Sequence, residues 1–249
     1  MIIFDEVKYA ENIIRNGCNK KYILVDFKIL AKYFLQYKKY SEEKTMEEML
    51  SILKEKQSII PINFLPLKIQ ASIKYAKNET LRESDAISIT SEELNRVNEL
   101  PEYLRELAFI YLFLMKWNKE DDGFFIDKSD IKRLLKQNNL TNTKINIYDG
   151  ELERLGFISF VDYRRKEKIQ VNFIDDTSPL VLNIEDFENA ILYYRRFCGK
   201  RVIECEDCQS LVEVKGNRQK YCKDCAKKHK LEQVRASKKR AYKICNGIN

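Results

Sequence analysis

Apolar positions in the first eighty residues recur every three or four places, as one face of an α-helix requires. Ile29, Leu30, Tyr33, Phe34 and Tyr37 share such a face, and Met46, Met49, Leu50 and Leu53 share another. Pro61 and Pro66 break the chain before a third apolar run over 67–76. The pattern predicts a small helical domain over 1–82. No constellation of reactive side chains accompanies it, so its role stays open, with contact to a protein partner as one candidate.

The middle of the chain is more varied. Ile87 and Ile89 flank a serine like a short strand, and Thr90 with Glu93 forms the T-x-x-E box that opens a helix. Pro101 precedes a strongly apolar helix over 102–117, containing Leu104, Leu107, Ala108, Tyr111, Leu112 and Met115. A turn at 121–123 and a strand over 124–126 follow. Asp127 is placed to cap a helix over 128–137, with Ile131, Leu134 and Leu135 facing inward. The next helix, over 143–155, sets Ile145, Tyr148, Leu152 and Leu155 on one face, and Gly156 ends it. Alternating strands over 157–162 and 168–174 enclose a basic turn. Beyond them the chain reads as a strand over 180–184 and a helix over 186–197.

Helix, short strand, helix, turn, helix and basic hairpin follow one another in the order of a winged helix-turn-helix. Residues 151–158 and the following hairpin carry the resemblance, which spans roughly 101–176. It implies that the second helix of the pair enters the DNA major groove. Asn142, Lys144 and Asn146 would then reach base edges, asparagine being able to pair with both edges of adenine. Arg164, Arg165 and Lys166 would meet phosphate or the minor groove from the wing, although many such domains make only protein contacts. Asp149, Glu151 and Glu153 place negative charge on the same helix.

Seven cysteines occur, and four are paired: Cys205 with Cys208, and Cys222 with Cys225. Two residues between thiols let one turn aim both sulfurs at one ion, and two such turns complete the tetrahedron that zinc favours. Four sulfurs leave no coordination position for water or substrate, so the predicted ion is a single structural Zn²⁺. His229, four residues after Cys225, reads as a solvated helical residue. Cys18, Cys198 and Cys245 have no partner at ligand spacing. A small hairpin is expected over 211–218, turning at Gly216 and Asn217, followed by a helix from the second pair to about Lys243. The layout resembles a treble-clef finger with a basic helix, similar to short zinc modules of phage and mobile-element proteins.

Charge sharpens the picture. Between Arg195 and Lys243 lie 16 Lys/Arg and 6 Asp/Glu, a net +10 in a chain of net +7, so the remainder is −3. Lys227, Lys228, Lys230, Arg235, Lys238, Lys239, Arg240 and Lys243 line the last helix and would neutralise phosphates. A single histidine, with no Gly-rich phosphate loop, nucleophile elbow or H-E-x-x-H motif, argues against an enzyme. Residues 120–122 could hold Mg²⁺ but read better as a turn. The N-terminus lacks a basic segment before an apolar core, and no apolar run approaches the roughly 18 residues that span a bilayer, so a cytoplasmic chain with no membrane partner is expected.

The expected protein is mainly α (α+β). It has a helical domain over 1–82, a winged helix-turn-helix over 83–176, a connecting strand and helix over 177–200, and a four-cysteine zinc finger with a basic tail over 201–249. The expected function is non-enzymatic nucleic-acid binding, with duplex DNA favoured over RNA, in replication or transcription control. RNA binding, and a protein-interaction adaptor or inhibitor of a nucleic-acid enzyme, are the alternatives.

Overall fold

The computed structural model describes residues 2–19, 22–55, 61–83, 86–118, 123–125, 127–137, 139–161, 168–214, 216–217 and 219–245. The chain is mainly α with small antiparallel sheets, and it divides into two compact units, Ile2–Asp85 and Ala86–Asn249.

The first unit holds α1 (Glu6–Asn16), α2 (Ile23–Lys32), α3 (Glu42–Glu55) and α4 (Leu65–Asn78). Asp5 caps α1 by accepting the Lys8 N–H at 2.9 Å. Helical spacing gathers Ile13, Phe27, Leu30, Met49, Leu53, Leu65, Ile69 and Ile73 into one core. Three charged side chains share this interior. Asp26 accepts from the Tyr9 hydroxyl (2.8 Å) and the Asn19 N–H (2.6 Å). Lys32 pairs with Glu6 at 2.6 Å, and Glu6 also accepts the Arg82 N–H at 2.9 Å, fastening the end of the unit to its first helix.

The second unit is built around α6 (Glu102–Asn118), which is buried from Leu107 to Met115 without interruption. Before it come β1 (Ile87–Thr90) and α5 (Ser91–Glu99). The box at Thr90 and Glu93 forms in both directions, at 3.3 and 2.8 Å. β1 pairs antiparallel with β5 (Leu180–Ile184), Ile87 opposite Ile184. After α6 run β2 (Phe124–Phe125), α7 (Lys128–Leu134), α8 (Asn142–Arg154), β3 (Ile158–Phe160) and β4 (Lys168–Val171). Asp127 and Thr141 cap α7 and α8.

β2, β4 and β3 form a three-stranded antiparallel sheet in that spatial order, with Phe124 and Phe160 both opposite Ile169. Gly123 opens β2 at φ +95°, and a Cβ there would stand 2.6 Å from the Ile169 carbonyl oxygen, so only glycine fits. Residues 187–197 begin with a 3₁₀ turn and continue as α9 (Ala190–Phe197), whose Tyr194 ring stacks on Phe109 at 4.6 Å. β6 (Val202–Glu204), β7 (Leu211–Glu213) and α10 (Lys223–Cys245) complete the chain. Among the described residues, no helix is long and apolar enough to cross a membrane.

Candidate metal centre and basic helix

The expected hairpin lies elsewhere than the alternation over 211–218 suggested. β7 pairs backwards with β6, Val202 opposite Glu213, so the turn of the hairpin is the Cys205–Cys208 knuckle itself. The cause is local hydrogen bonding. Cys205 N–H donates to the Ser210 carbonyl and Gln209 N–H to the Cys205 carbonyl, both at 2.9 Å, with Gln209 in the left-handed region at φ +59°. Gly216 and Asn217 follow the hairpin, and Asn217 accepts from Arg201 at 3.2 Å.

Two links bring the second pair against the knuckle. Glu206 N–H donates to the Lys220 carbonyl at 3.1 Å, and Cys222 N–H to Cys205 Sγ at 3.3 Å. Cys222 immediately precedes α10 and Cys225 lies in its first turn, its N–H reaching Cys222 Sγ at 3.4 Å. Helix N-termini present unpaired amides and a positive dipole end, which favour thiolate. The four sulfurs lie within 4.8 Å of one another, with Cys208 and Cys222 3.8 Å apart. A tetrahedron with metal–sulfur bonds of ~2.3 Å has edges of ~3.8 Å, so the group fits one ion.

The thiols are shifted in opposite directions by their surroundings. Burial pushes Cys205 up, but the N–H groups of Cys208, Cys222 and Asp207 outweigh it and bring it down to about 6. Cys208 is lowered by Ser210, 3.0 Å from its sulfur. Cys225 is raised, chiefly by the neighbouring Cys222 sulfur and then by burial. Several thiolates this close repel unless a cation lies between them, and a bound ion would remove the conflict.

His229 lies on α10, partly exposed, and has a partner that the sequence did not show. Its Nε2 lies 2.6 Å from Asp207 Oδ2, and its ring packs on Tyr221 with centroids 4.5 Å apart. The pair joins the second turn of α10 to the knuckle. Asp207 had no motif to mark it in the sequence, since only the fold brings it to position 229. On the other side of the hairpin, Arg195 donates to both carboxylate oxygens of Glu106 on α6 (2.8 and 2.6 Å) and to Glu213 on β7 (2.8 Å). These charges border a cavity of about 670 Å³ together with Tyr194, Cys198 and Lys200. Lys200 also pairs with Glu106, at 3.3 Å.

The cationic candidates fall into three groups. Lys227, Lys228, Lys230, Arg235 and Lys238 are exposed on α10. Lys239 and Arg240 belong to the same helix, with side chains outside the described residues, as is that of Lys243. Arg164, Arg165 and Lys166 lie outside the described residues altogether, as do residues 120–122.

On α8, Asn142, Lys144 and Asn146 are exposed, and Lys128 donates to the Asn146 side-chain carbonyl. Asp149, which the sequence set against DNA on this helix, turns inward instead. It is 7% exposed, accepts the buried Tyr111 hydroxyl at 2.6 Å, and is raised by burial to about 6 although that hydrogen bond lowers it. Glu151 accepts the Tyr103 hydroxyl at 2.6 Å. No family model, curated protein or solved structure matches the chain, so the functional reading rests on this geometry.

Proposed function

We propose that the chain is a non-enzymatic DNA-binding protein of phage or mobile-element type, acting in replication or transcription control. In this reading the sulfur cluster holds one structural Zn²⁺. Four thiolates fill its coordination, so the ion stabilises the fold and offers no open position to a substrate. The observation that carries the reading is the descent of α10 from the sulfur cluster. At about 1.5 Å per residue its 23 residues span about 35 Å, comparable to one turn of duplex DNA. Its exposed cations can follow a phosphate backbone, which gives affinity without sequence reading.

Two further features support it. A knuckle at the tip of a hairpin, followed by a pair of ligands at a helix start, is the layout of a treble-clef finger. α6, α7 and α8 with the β2-β4-β3 sheet follow the order of a winged helix-turn-helix, with Asn142, Lys144 and Asn146 on the exposed side of the second helix of its pair. The inward turn of Asp149 removes one negative charge from that side.

The test is fluorescence polarisation of a labelled duplex at two or more salt concentrations. Neutralising about five to eight phosphates gives a log–log slope of roughly −4 to −7. An affinity indifferent to salt would overturn the reading. Competition by single-stranded RNA distinguishes it from RNA binding.

A further inference from the structure

The end of α2 is built unlike a simple helix end. The helix widens into a π turn over Tyr33–Tyr37, with the Lys38 N–H reaching the Tyr33 carbonyl at 2.9 Å. Such turns are rare and concentrate at functional sites. The chain then leaves through Lys39 at φ +56°, and the Tyr40 N–H closes back on the Phe34 carbonyl at 2.9 Å. Glycine or asparagine ordinarily fills this left-handed position. A lysine here accepts backbone strain and places a cation at the tip of the turn.

The widened turn brings Tyr33 and Tyr37 into a stack, centroids 5.3 Å apart and planes at 21°. Tyr33 is buried, whereas Tyr37 is 45% exposed. The Lys38 ammonium lies 5.4 Å from one centroid and 5.3 Å from the other. Three nearly equal separations place it beside the stack and not over the far face of Tyr37. Lys44 lies 3.8 Å above Tyr40. Among the described residues, no carboxylate pairs with Lys38, Lys39 or Lys44. The acids of the same stretch are engaged: Glu42 with Lys77 at 2.6 Å, and Glu43 with the Ser41 hydroxyl and its own amide.

We infer that Tyr37, Lys38, Lys39 and Lys44 form a second nucleic-acid site, for unpaired bases. The Tyr37 ring extends its stack by one nucleobase, and the three lysines hold the flanking phosphates. Every base offers a π face, so the site is tolerant of sequence. It stands on residues of the first unit alone and does not depend on the metal centre or on α10.

The experiment uses the full-length chain and a labelled single-stranded 12-mer carrying 5-iododeoxyuridine. Irradiation should crosslink the strand to the peptide containing Tyr37, located by mass spectrometry. Tyr37→Leu should weaken single-strand binding about tenfold and leave duplex binding unchanged, while Tyr37→Trp should retain binding. Lys39→Gly separates site from scaffold: relief of the left-handed strain should raise Tm, while loss of the cation weakens single-strand binding and flattens its salt slope by about 0.7. Three results would overturn the site: a parent protein that ignores the 12-mer, crosslinks confined to α10, or a Lys39→Gly protein that is more stable yet binds as before.

Discussion

Asp149 shows how burial decides what a charge on a helix means. Its sequence neighbours place it among exposed acids, and nothing in the order of residues reveals that Tyr111, thirty-eight positions earlier, waits beneath it. Its folded value of about 6 lies above the unfolded ~3.9, so the folded state binds the extra proton. Stability from this group is therefore full below about pH 4 and is lost as pH rises through 6. The loss is about 3 kcal/mol by pH 7.5. Asp149→Asn keeps an acceptor for Tyr111 without the charge. It should raise Tm at pH 7.5 relative to the parent, and the advantage should shrink towards pH 5; an equal Tm difference at both pH values would contradict the assignment. Arg195 is the opposite case, a buried cation whose partners are all present. Arg195→Met strands Glu106 without its bidentate partner and should cost about 3 kcal/mol in chemical denaturation. The sequence marked Arg195 only as one more basic residue.

At the scale of elements, periodicity carried most of the reading. The box at Thr90 and Glu93 and the cap at Asp127 are local features, and α5 and α7 begin where they lie; on α8 Ile145 and Leu152 are buried as expected, whereas Leu155, just past the end of the helix, is exposed. What escaped is non-local pairing. β1 finds β5 across some ninety residues, and β7 finds β6 and not the residues after it, because alternation marks a strand without naming its partner. The cysteine spacing was legible because metal geometry is nearly a sequence property. The Asp207–His229 contact was not, since it exists only after the knuckle and α10 have met. The four thiols should act as one ligand set. Cys208→Ala should lower metal content, by elemental analysis of reductively purified protein, from one equivalent to well below one. Under limited trypsin the same variant should be cut within 201–243 first, while the core helices of residues 2–83 persist. A variant retaining a full equivalent would show that three of the sulfurs suffice.

Across the whole molecule, charge is sorted by region. Residues 1–85 sum to +3, residues 86–194 to −6 and residues 195–249 to +10. The region holding α8 is thus net acidic, and long-range attraction to a polyanion must come chiefly from the last segment. Changing to Gln the eight cations Lys227, Lys228, Lys230, Arg235, Lys238, Lys239, Arg240 and Lys243 shifts the total from +7 to −1. Duplex affinity near physiological salt should fall by about a hundredfold or more while metal content stays the same; an unchanged Kd would move the interface away from α10. Chelation asks a different question of the same helix. Because Cys222 closes the loop and Cys225 sits in the first helical turn, the sulfur cluster fixes the direction in which α10 sets out. On the proposed reading, loss of the ion leaves the polypeptide all its lysines and takes away their heading. The chain should then cling to any polyanion, heparin as readily as DNA, so that metal supply governs discrimination more than grip.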